Sequence, residues 1–124
     1  MPVKNKTELT PKHKNGDIWL SIHKDMSGDG IKRSFLANRE YALAKDQYTA
    51  TLNDDYLALA LVMRDRLIER WIATQQGYHK KNLKRVYYLS MEFLLGRLLG
   101  TNIINLGVWQ EAKIAMEKLG FDIE

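Results

Sequence analysis

The sequence predicts a helix-rich α/β segment containing one clear β-strand. Three observations carry that expectation. The run Arg85-Val86-Tyr87-Tyr88-Leu89-Ser90 is β-branched, aromatic or apolar through its centre, the composition of a strand covered on both faces. Thr51-Leu52-Asn53-Asp54 is a capping-box pattern at the head of a long apolar-periodic stretch. Gly96, Gly100, Gly107 and Gly120 punctuate shorter segments of helical spacing.

Residues 1–30 read as a flexible or loosely docked arm. Residues 1–16 are polar and carry Pro2, Pro11 and Gly16. Ile18, Trp19, Leu20 and Ile22 then form an apolar cluster, and Ser27-Gly28-Asp29-Gly30 reads as a turn. Residues 31–124 form the folded but incomplete part. Ile31, Phe35 and Leu36 are spaced for a helix that runs to about Ala44. After the capping box, Tyr56, Ala60, Met63, Leu67 and Trp71 fall on one helix face, widened by Leu57, Leu61, Ile68 and Ile72. Asn82 ends that helix. Residues 85–90 form the strand. Leu98, Leu99, Ile103 and Ile104 belong to short helical pieces. A last helix starts at Val108, carries Lys118 in its final turn and stops at Gly120.

A buried strand needs a neighbour for its N–H and C=O groups. With one strand in 124 residues, the chain either pairs with another copy or is a piece of something larger. The hydrophobic share of 45% is that of an ordinary globular protein. The absence of cysteine excludes disulfides and thiolate metal sites and fits a reducing cytoplasm. No signal peptide follows Met1, and no apolar run is long enough to span a bilayer. The net charge of +4 is interspersed with acids and reads as a solvated surface. His79-Lys80-Lys81-Asn82-Leu83-Lys84-Arg85 lacks interleaved aromatics, so it reads as a solvated turn and not a nucleic-acid site. His13, His23 and His79 have no metal-ligand spacing.

Two constellations are candidates for chemistry. Glu92 follows the strand among Met91, Phe93, Leu94 and Leu95, where a carboxylate is either turned outward, ion-paired (for example with Arg97) or held for a purpose. Gln75, Gln76 and His79 lie together where the long helix turns polar. They could hydrogen-bond a nucleotide, or simply form a polar helix end at a subunit edge.

The run Tyr87-Tyr88-Leu89-Ser90-Met91-Glu92-Phe93-Leu94-Leu95-Gly96-Arg97 resembles the first strand and following loop of the α-glucan (glycogen/starch) phosphorylases. Lys45-Asp46, Arg64-Asp65 and Arg70-Trp71-Ile72-Ala73-Thr74-Gln75-Gln76 agree in order and spacing, so the resemblance covers about three quarters of the chain. It implies the N-terminal piece of a two-domain glycosyltransferase-B type fold. It implies an enzyme that cleaves α-1,4-glucan with inorganic phosphate to release glucose 1-phosphate. Pyridoxal phosphate would serve the complete enzyme, bound to a lysine with no counterpart here, so the isolated chain is expected to be inactive. The resemblance implies a cytoplasmic homodimer through the 45–50 loop and the 51–82 helix. Glu92 would line the catalytic cleft in a supporting role. Gln75, Gln76 and His79, with Asp46 contributed across the dimer, would form an AMP-type effector site. His79 stands where the AMP-regulated members carry a stacking tyrosine. No serine lies in the basic stretch Lys12-His13-Lys14, so the phosphorylation control of the vertebrate members is not expected. The other reading is a non-catalytic dimerisation or allosteric fragment.

Overall fold

The computed structural model describes residues 25–90 and 96–123. Helix α1, Gly28–Ala37, begins at Ser27, whose hydroxyl accepts the Gly30 N–H at 3.1 Å. The segment that reads as a glycine turn is therefore the capped first turn of a helix. Gly30 is fitted to its place, because a Cβ there would overlap the Asp25 carboxylate. That carboxylate is pinned by the Ser27 hydroxyl at 2.6 Å and by Arg33 at 2.6 Å. The chain continues into a π-helical turn, Asn38–Ala42, closed by the Leu43 N–H on the Asn38 carbonyl.

Helix α2, Leu52–Lys81, runs 30 residues, or about 45 Å. Both halves of its capping box are made: the Thr51 hydroxyl accepts the Asp54 N–H, and the Asp54 carboxylate accepts the Thr51 N–H at 2.9 Å. It ends at Asn82 in the left-handed conformation, with the Leu83 N–H returned to the Tyr78 carbonyl. Helix α3, Leu98–Leu106, stops at Gly107 (φ 73°), and helix α4, Trp109–Glu117, is followed by Gly120 (φ 84°).

The core forms where α1 and α3 pack on α2 and α4 packs on α1 and α3. Ile31 and Phe35 come from α1, and Ala58, Leu59, Val62 and Met63 from α2. Ile103 and Leu106 come from α3, and Ala112, Ala115 and Met116 from α4. Arg66 shares this face of α2 although it is charged, and it is 1% exposed. Its Nη2 donates to the Asp25 carbonyl at 2.7 Å and its Nη1 to the Val62 carbonyl at 3.2 Å, while Nε has no partner. Burial pushes this guanidinium below its ordinary pKa, opposed by the charge of Asp25. Nearer the helix start, Arg39 pairs with Asp55 at 3.4 Å and lies over the Phe35 ring, tying the π-helical turn to α1 and α2.

Two expectations are corrected. No strand occurs among the described residues, and the described architecture is helical rather than α/β. Val86, Tyr87, Tyr88 and Leu89 are 77–92% exposed in a stretch without regular structure. Local composition favours extension, but a ladder needs a second strand, and none of the described residues supplies one. The second correction concerns α2. Of the face marked by Tyr56, Ala60, Met63, Leu67 and Trp71, only Met63 is buried. Residues 56–63 are apolar without a break and cover every side of the helix over two turns, so periodicity alone does not say which side meets the core. The core takes the side with Ala58 and Val62. Leu67, Ile68, Trp71 and Ile72 remain on an exposed side.

Candidate functional site

Past Arg70, α2 extends beyond its neighbours. Arg70 makes the last described tie to them, its Nη2 donating to the Leu106 carbonyl at 3.3 Å. From there the helix is exposed or half-buried, and the chain that leaves it folds back at Leu83. Between the helix end and residues 83–87 lies a groove of about 470 Å³, lined by Gln75, Tyr78, Leu83, Lys84, Arg85 and residues 86–87. The Arg85 guanidinium stands over the Tyr78 ring, 5.7 Å from its centroid. Gln75 faces this groove, whereas Gln76 and His79 are exposed and do not line it. Tyr78, Lys84 and Arg85 are the lining residues that reading the motif as Gln75, Gln76 and His79 misses. Lys84 and Arg85 belong to the cation-rich run that reads as a solvated turn, and Tyr78 lies within α2.

Asp46 sits at the other end. Its Oδ1 accepts the Tyr48 N–H at 3.1 Å, the Thr49 N–H at 2.8 Å and the Thr49 hydroxyl at 2.6 Å. The Thr49 hydroxyl bond is the chief cause holding the Asp46 carboxyl below its usual pKa. Ala44, two residues earlier, is held at φ 53°, a left-handed conformation that costs a non-glycine residue about 1–2 kcal/mol. The loop is thus organised by its own side chains and leads directly into the Thr51 cap. Leu52 and Gln75 are 23 residues apart on one helix, about 35 Å along its axis. A single chain therefore does not bring Asp46 to Gln75, Gln76 or His79.

Glu92 lies outside the described residues. Close to where residues 91–95 rejoin the described chain is a larger cleft of about 830 Å³. Leu52, Tyr56 and Leu59 of α2, Leu98 and Ile103 of α3, and Phe121 make it predominantly apolar. No set of three or more His, Asp or Glu among the described residues is placed to hold a metal ion. No helix among the described residues is long and apolar enough to cross a membrane. Pyridoxal phosphate held as a Schiff base needs a lysine sheltered from water, and no lysine among the described residues is buried. The described residues do not fit that cofactor.

These features define a helical module built on one long helix, with an apolar side left open and polar groups at opposite ends. No family model matches the chain. It is 49% identical over 94 residues to the liver form of human glycogen phosphorylase. It is 45% identical to the brain form from Bos taurus and 44% to the muscle form from Ovis aries over the same length. Each match covers 76% of the chain and 11% of the relative. The chain is homologous to the glycogen phosphorylase family over that share of its length. It matches about a tenth of the length of these curated relatives.

Proposed function

We propose that this chain is the N-terminal segment of an α-1,4-glucan phosphorylase, a hexosyltransferase that releases glucose 1-phosphate from glucan and inorganic phosphate. The observation that carries this reading is the identity of up to 49% over 94 residues to glycogen phosphorylases. The segment's own part is structural and regulatory. In the complete enzyme pyridoxal phosphate would supply proton transfer through its phosphate, from a site formed by other parts of the polypeptide. Glu92 would line the cleft and order the groups around the reacting phosphate, without acting as nucleophile. Glu92→Gln in the complete enzyme should lower kcat more than it raises KM.

Asp46, Gln75, Gln76 and His79 would form an AMP-type effector site shared by two copies. The separation of about 35 Å along α2 between Leu52 and Gln75 supports this reading, because antiparallel pairing of two such helices brings one copy's Asp46 to the other's Gln75. The open apolar side with Leu67, Ile68, Trp71 and Ile72 supports a further partner for the 51–82 helix. It equally favours the second reading, a dimerisation or allosteric fragment without catalysis.

The test is phosphate-dependent release of glucose 1-phosphate from maltodextrin. The expected outcome is release by the longest polypeptide containing this chain, loaded with pyridoxal phosphate, and none by residues 1–124 alone. A loaded, folded full polypeptide that releases none would overturn the enzymatic reading and leave the second.

A further inference from the structure

The connection between the π-helical turn and α2 is held at both ends by one residue. The Arg39 carbonyl accepts the Lys45 N–H at 3.0 Å, where the connection begins. The Arg39 guanidinium donates to the Asp55 carboxylate at 3.4 Å. Asp55 stands in the first turn of α2, with its N–H on the Thr51 carbonyl at 3.0 Å. The bonds that Asp46 accepts from Tyr48 and Thr49 lie inside the connection. Ala44, next to Lys45, is left-handed at φ 53°. Such a conformation is disfavoured for alanine and persists only where its surroundings over-determine it. The two ties of Arg39 supply that constraint.

The same guanidinium reaches the wall of the 830 Å³ cleft by two routes. Asp55 lines the cleft directly. Phe35, whose ring centroid lies 5.7 Å from the Arg39 guanidinium, is wholly buried and meets the Phe121 ring at 6.0 Å between centroids. Phe121 lines the cleft in turn. The Arg39 and Asp55 side chains are 15% and 9% exposed, so water screens their attraction little. A planar guanidinium can face the ring and still offer N–H groups to the carboxylate.

We propose that Arg39 is a latch that couples the wall of the cleft to the opening of the connection 44–50. With the latch made, the strained turn is closed. When Phe121 or Asp55 shifts at the cleft wall, the guanidinium loses a partner and the connection opens, releasing the strain at Ala44. The coupling is reciprocal, so an open connection also loosens the cleft wall. It runs within one chain and needs no effector, so it is tested independently of the two-copy site.

The test is native-state hydrogen exchange on the full 124-residue chain, read at the Lys45, Thr49 and Ala50 amides against Val62 and Met63 in the core of α2. Arg39→Met and Asp55→Asn each remove one charge of the pair at little change in volume. Each should speed exchange at the three connection amides at least about tenfold, the loss of one charge-assisted hydrogen bond, and change Val62 and Met63 less. Phe121→Leu should speed the connection amides about two- to tenfold in the otherwise unaltered chain. In the background of either pair variant it should leave them unchanged. Two separate variants of the pair keep the test standing if one of them does not fold. Connection amides that exchange at the original rate in the pair variants would overturn the proposal. So would a rise shared equally by Val62 and Met63, or a Phe121→Leu effect of the same size with and without the latch.

Discussion

Arg66 donates from Nη2 to the main-chain carbonyl of Asp25 at 2.7 Å, joining the middle of α2 to the residue that precedes α1. The contact spans 41 residues of sequence and is the work of an almost wholly buried cation. The carboxylate of the same Asp25 holds Ser27 and Arg33. One residue thus holds the Ser27 cap of α1 with its side chain and anchors the helix to α2 with its backbone.

Truncating this arginine should be costly. Arg66→Ala leaves a cavity and an unpaired carbonyl, with an expected loss of about 2–4 kcal/mol in urea unfolding. Arg66→Met fills the same space without a buried charge and should lose clearly less, since the wild-type guanidinium already has an unpartnered Nε. Equal losses in the two variants would show that packing around Arg66 is not what its burial secures.

Gly30 gives a test with an inverted sign. Alanine for glycine inside a helix ordinarily stabilises by about 0.5–1 kcal/mol. At Gly30 the added methyl meets the Asp25 carboxylate, which is fixed from two sides. Gly30→Ala should therefore lower the Tm. Gly77→Ala, in open space on the same type of backbone, should raise it. A higher Tm for Gly30→Ala would mean that the Asp25 cap is not formed in solution.

Acid should unfold the chain through its helix caps. The carboxyls of Asp25, Asp46 and Asp54 are held below their ordinary value of 3.8 by hydrogen bonds from Ser27, Thr49 and Thr51, and that of Asp29 chiefly by Lys118. A depressed folded-state pKa means that the unfolded state binds more protons in the window just below the ordinary value. These groups therefore contribute stability above about pH 5 and lose it as the pH falls through 3.8 and below. The expected signature is a urea midpoint that declines below about pH 5, with a shallower decline in Asp54→Asn. An unchanged slope in that variant would mean that the capping box does not contribute to the acid sensitivity.

What the sequence discloses and what it hides divide along physical lines. The Thr51–Asp54 box, the stop at Asn82 and the glycine end at Gly107 are local, and each is where the residues place it, whereas the last helix ends at Glu117, short of Gly120. Ser27 is also a local signal, but next to two glycines it reads as a turn until Asp25 is seen beside Gly30. The core face of α2 is not local. The unbroken apolar run 56–63 leaves the choice to the helix's neighbours, and Ala58 and Val62 are chosen over Leu67 and Trp71. The run Val86–Leu89 has strand composition, yet a strand is a property of a pair. At the candidate site, Gln75 was legible from its helix register. The Tyr78–Arg85 stacking was not, because it depends on how the chain turns after Asn82.

The proposed effector site requires Asp46, in the loop before α2, to meet Gln75, about 35 Å along that helix from Leu52, across two copies of the chain. The chain has no cysteine, so single cysteines can report this directly. Asp46→Cys and Gln75→Cys proteins would be mixed under mild oxidation in the longest folded polypeptide that contains the chain. A disulfide-linked dimer is expected in the mixture at yields well above those of either variant alone. A mixture that cross-links no better than the separate variants would contradict it.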